Sequence, residues 1–275
     1  MKFSFHSIQI FAFAGLALFT SCKKDDKKDP VTPAATHGKL VLEFDNVVGE
    51  AQLALDSTGN TYTNASGEKF SVTQFNYYIS NISLTKTDGS VYTVPQDSSY
   101  FLVMESRSET QEVLLPHVPV GDYNSVSFTI GVDSLRSTKG LTERTGVLAP
   151  DYLAGHGMYW SWNSGYIFLK LEGVSASAPV SSGNFFYYHI GGFGGYSSTT
   201  INNIRNMKLT FPEAATVRGD IKPDVHMMVD VKKVFDGTSP LKISEDPEVM
   251  FSPRSVGISA NYASMMKVHH VHNDH

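Results

Sequence analysis

The sequence predicts an all-β protein, an antiparallel β-sandwich with one or two short helices. Short runs of aromatic and β-branched residues are separated by Gly, Asn, Asp and Ser along most of the chain. Many short strands at this spacing are typical of a β-sandwich. Aromatic residues make up 12% of the chain and charged residues only 18%, a composition typical of a rigid secreted β-protein.

The strands follow from hydrophobic alternation. Residues 39–44 have apolar side chains at 40, 42 and 44 and polar ones at 39 and 43, an alternation that predicts a half-buried strand. Residues 75–84 form a longer strand, which turns at Asp88-Gly89 and returns through residues 91–94, because Asp-Gly between two such runs is a strong hairpin signal. Further strands are expected at residues 100–104, 112–115, 125–132, 165–173, 185–191, 206–211 and 225–234.

Two segments have helical patterns. One is short and spans residues 140–148. The other begins at Ser252-Pro253, a capping residue followed by proline at the first helical position, and is expected to run to about residue 266. The chain contains no internal repeat and no second domain boundary, so residues 38–275 are predicted to form one domain.

The N-terminus resembles an export signal. Lys2 precedes an apolar stretch over residues 8–19, which ends in Thr20-Ser21-Cys22. This stretch is too short for a transmembrane helix, which needs about 20 apolar residues. The single cysteine at this position resembles a bacterial lipobox, so residues 1–21 are predicted to be a lipoprotein signal peptide and Cys22 the lipidated residue. An ordinary signal peptide with a chance cysteine is the alternative.

Residues 22–37 are charged, contain proline and lack apolar periodicity, which predicts a disordered tether. The protein would then be anchored to the membrane through its lipid alone. The charges beside Cys22 resemble those of surface-exported lipoproteins of the Bacteroidetes type, so we expect an outer-membrane lipoprotein that faces the periplasm or the cell surface. The net charge is −5 and no basic cluster lies outside the tether, so nucleic acid is not an expected partner.

The chain contains ten histidines, which are the main candidate metal ligands. On their predicted strands, His189 shares a face with Phe185 and Tyr187, and His226 shares one with Met228 and Asp230. In an extended C-terminal tail His270 and His272 face the same way, so the two imidazoles could chelate one ion.

Imidazole is a common ligand for copper, zinc and nickel, and a thiol-free histidine set with methionine available suits copper best. With one cysteine in the chain, disulfides and cysteine metal sites are excluded. A lone strand histidine among aromatics is more commonly a satisfied core residue than a ligand. The histidine-rich C-terminus could also be a mobile metal scavenger or a cloning remnant.

Both tryptophans of the chain, Trp160 and Trp162, lie two residues apart and point to the same face of an extended segment. They form either a packed corner or the wall of a site. An unmodified indole cannot bind a metal, because its N–H is a donor only, whereas kynurenine, its oxidised product, has an aromatic amine that can. The sequence contains no Gly-x-Ser-x-Gly elbow and no His-Glu-x-x-His pair, so we expect no enzyme.

A set of motifs, taken in order, resembles the MbnP-like copper-binding family, which is related to the methanotroph copper proteins MopE and CorA. The resemblance runs from about Lys39 to the terminal histidines. The motifs are Tyr77-Tyr78-Ile79-Ser80-Asn81-Ile82, Gly131-Val132-Asp133-Ser134, Gly157-Met158-Tyr159-Trp160-Ser161-Trp162-Asn163-Ser164-Gly165-Tyr166, Leu171-Glu172-Gly173 and Tyr188-His189-Ile190-Gly191-Gly192.

The resemblance implies a secreted or anchored β-sandwich in which histidines and an oxidised tryptophan hold one copper ion. It also implies that a di-haem peroxidase of the MauG type carries out the oxidation. Trp160 is then the first candidate for the modified residue and Trp162 the second, with His189 as the best-matched ligand, followed by His270 and His272. Some members place a histidine two residues after the modified tryptophan. Trp162 stands there in this chain, so a ligand must come from elsewhere.

The sequence therefore favours an anchored, non-enzymatic copper-binding protein for copper acquisition or handling. The alternative hypothesis is a metal-free surface β-sandwich that binds a glycan or a protein. In that case Tyr159, Trp160, Trp162 and Tyr166 would form a stacking platform.

Overall fold

A computed structural model describes residues 35–59, 61–152, 157–160 and 165–274. The predicted signal peptide, Cys22, nearly all of the tether, Trp162 and His156 lie outside the described residues. The strands, in chain order, are β1 (His37–Val48), β2 (Ala51–Gln52), β3 (Tyr62–Thr63), β4 (Lys69–Lys86), β5 (Val91–Thr93), β6 (Tyr100–Met104), β7 (Glu112–Pro119), β8 (Gly121–Ile130), β9 (Tyr159–Trp160), β10 (Gly165–Val174), β11 (Phe185–Gly191), β12 (Arg205–Val217), β13 (Lys222–Asp230), β14 (Glu248–Val249) and β15 (Met266–Asp274).

These strands form two sheets. Sheet A has the order β15-β13-β1-β2, with β7 also paired to β1. Sheet B has the order β12-β8-β4-β10-β11-β14, with β3, β5 and β6 paired to β4 and β9 paired to β10. The prediction of an all-β sandwich is confirmed. Within it two pairs, β1 with β13 and β11 with β14, run parallel rather than antiparallel.

The main core lies between the two sheets. Phe44 of sheet A contacts Tyr77 and Phe128 of sheet B, with ring centroids 6.1 Å apart in both pairs. Along β1 the fully buried Leu42 and Phe44 alternate with Glu43 and Asp45, whose side chains point away from the core. The apolar residues at 40, 42 and 44 therefore mark the buried face of this strand.

Strand β4 keeps apolar side chains in the core on both sides of an irregularity at Asn81. Before this residue Tyr77 and Ile79 are buried in the main core, and after it Ile82 and Leu84 are. Asn81 has a φ of 54°, and the pairing of β4 with β8 shifts register at this point. The extra residue therefore returns the apolar side chains to the inner face.

Helices are short. Those described are α1 (Ser134–Ser137), α2 (Lys232–Phe235) and α3 (Pro253–Tyr262). Helix α3 begins where Ser252-Pro253 predicted, but it ends at Tyr262 because the chain re-enters sheet A as β15. None of the described helices is both long enough and apolar enough to cross a bilayer.

Two further expectations need correction. The helix predicted over residues 140–148 is a pair of 3₁₀ turns, Leu141–Glu143 and Gly146–Leu148, and Gly146 has a φ of 60° that an α-helix does not accept. The strand predicted over residues 225–234 ends at Asp230, after which the chain turns into α2.

A second, smaller core covers the outer face of sheet B. It contains Trp160, Tyr166 and Phe168 together with Leu148 and Met158 from the preceding loop. Tyr166 donates a hydrogen bond of 2.7 Å to the carbonyl of Leu148, which fixes the loop to the sheet.

Candidate metal centre

Strands β13 and β15 place histidines on the outer face of sheet A. Val225 and Met227 of β13 are fully buried, so His226 between them points away from the core. His226 pairs with His270 of β15, and Asp224 pairs with His272. Directly paired side chains lie side by side on one face of a sheet, so the register brings these histidines together.

A β-bulge adds His269 to this group. The pairing runs from His226 with His270 to Met227 with Val268, so His269 is the extra residue of β15. Its ring centroid lies 5.6 Å from that of His226 and 4.9 Å from that of His270. We call His226, His269, His270 and His272 the imidazole cluster.

The ring nitrogens of the imidazole cluster converge. Ligand atoms of His226, His269 and His270 all lie within 4.8 Å of one another. Nδ1 of His269 lies 2.6 Å from Nδ1 of His270, and Nε2 of His270 lies 2.7 Å from Nε2 of His272. Two nitrogens at this separation can reach one ion at the ~2.0 Å typical of a metal–imidazole bond. The donor set is nitrogen only and suits borderline metal ions.

The surroundings of the central imidazole, His270, disfavour its protonation. The pKa of His270 is lowered, mainly because its ring is partly desolvated and further because His226, His272 and His269 repel a second positive charge. A neutral imidazole has a free lone pair for a metal, whereas a protonated one does not. The crowding that disfavours protonation therefore favours metal binding.

Asp45 lies beside the ring of His226 on the neighbouring strand. Its Oδ2 lies 3.4 Å from Nε2 of His226, and its Oδ1 accepts a 2.8 Å hydrogen bond from Gln52. Nδ1 of His226 is buried and has no hydrogen-bond partner among the described residues. A carboxylate that holds one ring nitrogen and leaves the other free is the usual support of a metal-binding histidine.

Carboxylates give this face a negative potential. Burial, together with the nearby charges of Glu43 and Glu112, raises the pKa of Asp224 to about 6. Oδ1 of Asp224 is buried without a hydrogen-bond partner in the described part of the chain. A cation bound at the imidazole cluster would reduce the repulsion between these carboxylates.

His189 lies elsewhere. It is on β11 of sheet B, between Tyr188 and Ile190 of the main core, so it points to the outer face of that sheet. Its Nε2 is 2.7 Å from Oε1 of Glu172, which also pairs with Lys170 at 3.1 Å. Of the four predicted metal ligands, His226, His270 and His272 therefore come together, and His189 is separated from them by the sandwich.

Trp160 shares the outer face of sheet B with His189. Its indole lies against Gly191, where an added Cβ would be only 2.7 Å from the ring, and Gly191 is two residues from His189 on the same strand face. Trp160 is 6% exposed and contacts Phe251 edge-on at 6.5 Å. Its ring forms part of the wall of a pocket of about 290 Å³.

The described residues of the predicted stacking platform differ in exposure, with Tyr159 half-buried and the other two buried. Trp160 and Tyr166 are buried at 6% and 1% exposure, so neither presents a ring face to solvent. They serve as a packed corner, one of the two alternatives for the tryptophan block. Trp162 lies outside the described residues.

Sequence reasoning missed His269, Asp45 and Gln52. Strict alternation would place His269 on the face opposite to His270, and only the bulge brings it to the cluster. Asp45 and Gln52 are separated from His226 by more than 170 residues, so local periodicity gives no signal for their contacts.

The fold and the site define an all-β sandwich with a histidine cluster on the outer face of one sheet. The family model of MbnP matches residues 37–251, and the chain belongs to this family. At the level of the family this makes it a copper-related protein. His226 lies within the matched segment, whereas β15 with the other three imidazoles follows it.

A solved structure with the same fold is MbnP from Methylosinus trichosporium. It is 13% identical in sequence, with a TM-score of 0.53, and the match covers 82% of this chain and 88% of that one. At this identity the likeness concerns the fold alone. No curated protein matches the chain.

Proposed function

We propose that the chain is a membrane-anchored copper-binding protein for copper acquisition or handling, and that copper binds at the imidazole cluster. The observation that carries this proposal is the convergence of ligand atoms from His226, His269 and His270 within 4.8 Å. The chain's membership of the MbnP family supports copper as the metal.

The residues present fit a copper ion. The imidazole cluster offers nitrogen donors that suit both oxidation states of copper. Nδ1 of His226 is a buried polar atom without a partner among the described groups, a costly arrangement that a metal ion would relieve. Oδ2 of Asp45 lies 3.4 Å from the opposite nitrogen of the same ring, the position of a carboxylate that supports a metal-binding histidine. These features favour a metal site over a chance surface cluster.

Competitive copper titration tests this proposal. We expect His226→Asn to weaken copper binding at least 10-fold, because it removes a buried ligand of the cluster. His117→Asn is the matched control, because His117 is an exposed histidine on β7, outside the cluster. Equal copper affinity of the wild type, the His226 variant and the control would reject the site.

The family resemblance further supports a kynurenine ligand, made from Trp160 or Trp162 by a di-haem peroxidase of the MauG type. His189 shares the strand face on which Trp160 packs, so it is the candidate imidazole for such a ligand. Mass spectrometry of tryptic peptides from the native protein tests this part. Conversion replaces one carbon of the indole by one oxygen, and unmodified tryptophan at both positions in protein from its own host would reject it.

The anchor is proposed at Cys22, in an outer-membrane lipoprotein that faces the periplasm or the cell surface. The lipobox-like sequence before Cys22 supports this proposal. Cys22→Ser should release the protein from the membrane fraction, because one lipid-modified residue supplies the entire anchor. Retention of the Cys22 variant in washed membranes would contradict it. We propose a binding role without catalysis, since the sequence contains none of the nucleophile motifs considered above.

A further inference from the structure

His270 lies between two imidazole neighbours and presents a different ring nitrogen to each. Its Nδ1 is 2.6 Å from Nδ1 of His269, and its Nε2 is 2.7 Å from Nε2 of His272. The lone pairs of the two nitrogens of one imidazole diverge in the ring plane, so one ion cannot bind both. The cluster therefore offers two separate positions, one on each side of the His270 ring.

The two positions differ in their surroundings. The inner position has three imidazoles, from His226, His269 and His270, whose ligand atoms lie within 4.8 Å of one another. The outer position has His270 and the exposed His272, which pairs across the sheet with Asp224. We infer from the ligand count that the inner position fills first.

We propose that the imidazole cluster binds two copper ions, with the ring of His270 as the bridge between them. This inference rests on the proposed function and defines its stoichiometry. An imidazole that bridges two ions gives up its N–H, so binding of the second ion would release one proton to solvent. The ring then becomes an imidazolate, with one lone pair to each ion, and neither copper changes oxidation state in this step.

The charges of the neighbouring strands support two cations on this face. Glu43 interacts electrostatically with both His270 and Asp224, and it pairs directly with His226 across the sheet. Asp45 lies 3.4 Å from His226, and Oδ1 of Asp224 is buried without a partner in the described residues. These carboxylates would offset the mutual repulsion of two ions.

The amount of copper bound in the presence of a competing chelator distinguishes one bound ion from two. The purified full chain is dialysed against copper(II) sulfate with a chelator that leaves the wild-type positions filled, and bound copper is measured by atomic absorption. We expect His272→Asn to lose one equivalent and His270→Asn to lose two, relative to the wild type. Because the result is a difference, copper bound near His189 does not affect it. His117→Asn should lose none.

Electron paramagnetic resonance gives a second readout that folding does not mimic. As copper(II) is added to the wild type, the signal should rise and then fall, because an imidazolate bridge couples the two unpaired electrons. In His272→Asn the signal should rise to its plateau and stay there.

The outcomes are distinct. An equal loss of one equivalent in the His270 and His272 variants, or a wild-type signal that never falls, would overturn the two-ion inference and leave the copper site intact. No loss in either variant would overturn the proposed function itself. Unchanged far-ultraviolet circular dichroism of both variants confirms that they are folded.

Discussion

Asp224→Asn should stabilise the metal-free protein at neutral pH. Asp224 is flanked by Glu43 and Glu112, and its buried Oδ1 has no hydrogen-bond partner in the described residues. Its pKa rises from 3.8 to about 6 in the folded state, chiefly because burial disfavours the carboxylate. A carboxyl that binds its proton more tightly when folded destabilises the fold once the pH exceeds the unfolded pKa.

The magnitude follows from this shift. About two pKa units correspond to roughly 3 kcal/mol at about 1.4 kcal/mol per unit. Asp224 keeps contact with solvent, which screens the interaction, so we expect about 1 kcal/mol. The destabilisation caused by ionised Asp224 begins near pH 4, grows to about pH 6 and is constant above it. The Asn variant should therefore gain about 1 kcal/mol at pH 8 and nothing below pH 4.

Urea denaturation with EDTA present, at several pH values between 4 and 8, measures this effect. In a thermal melt of a domain of this size, a change of about 1 kcal/mol in the free energy of unfolding would shift the melting temperature by roughly 2–4 °C. Asp220→Asn is the control, because Asp220 is exposed. A gain for the Asp224 variant that is the same at pH 4 and pH 8, or a loss at pH 8, would refute this explanation.

Three further predictions concern the fold. Gly191→Ala should cost at least about 2 kcal/mol, because its Cβ would lie 2.3 Å from the carbonyl oxygen of Tyr166, whereas Gly140→Ala should be nearly neutral in thermal melts. Hydrogen bonds outweigh burial and lower the pKa of Glu68, so Glu68→Gln should cost about 2 kcal/mol at pH 7 and less as the pH falls through that pKa. Asn81→Val should cost about 1–2 kcal/mol in urea titrations because of the φ of 54°, and Asn81→Gly should cost less; equal costs would contradict the role of φ.

Local periodicity predicted the strands well where one face is buried. The alternation around Leu42 and the aromatic run before His189 both correspond to strands with the expected inner face. The Ser252-Pro253 pair marked the start of α3 for a local steric reason. These features depend on residues close together in the chain, and the sequence contains the information directly.

The arrangement of the candidate site depends on pairings that are distant in sequence. Strand β1 pairs in parallel with β13, more than 180 residues later, and this pairing brings Asp45 to His226. The bulge that turns His269 toward the cluster depends on how β15 packs, and no residue pattern marks it. For the same reason the sequence could not show that His189 belongs to the other sheet.

The central claim is that the imidazoles of sheet A form a copper site that does not depend on His189. Copper K-edge X-ray absorption of the protein loaded with one equivalent tests it most directly. We expect the scattering pattern of several imidazole rings, lost in part in His226→Asn and unchanged in His189→Asn. A spectrum that changes in the His189 variant and stays the same in the His226 variant would contradict this claim.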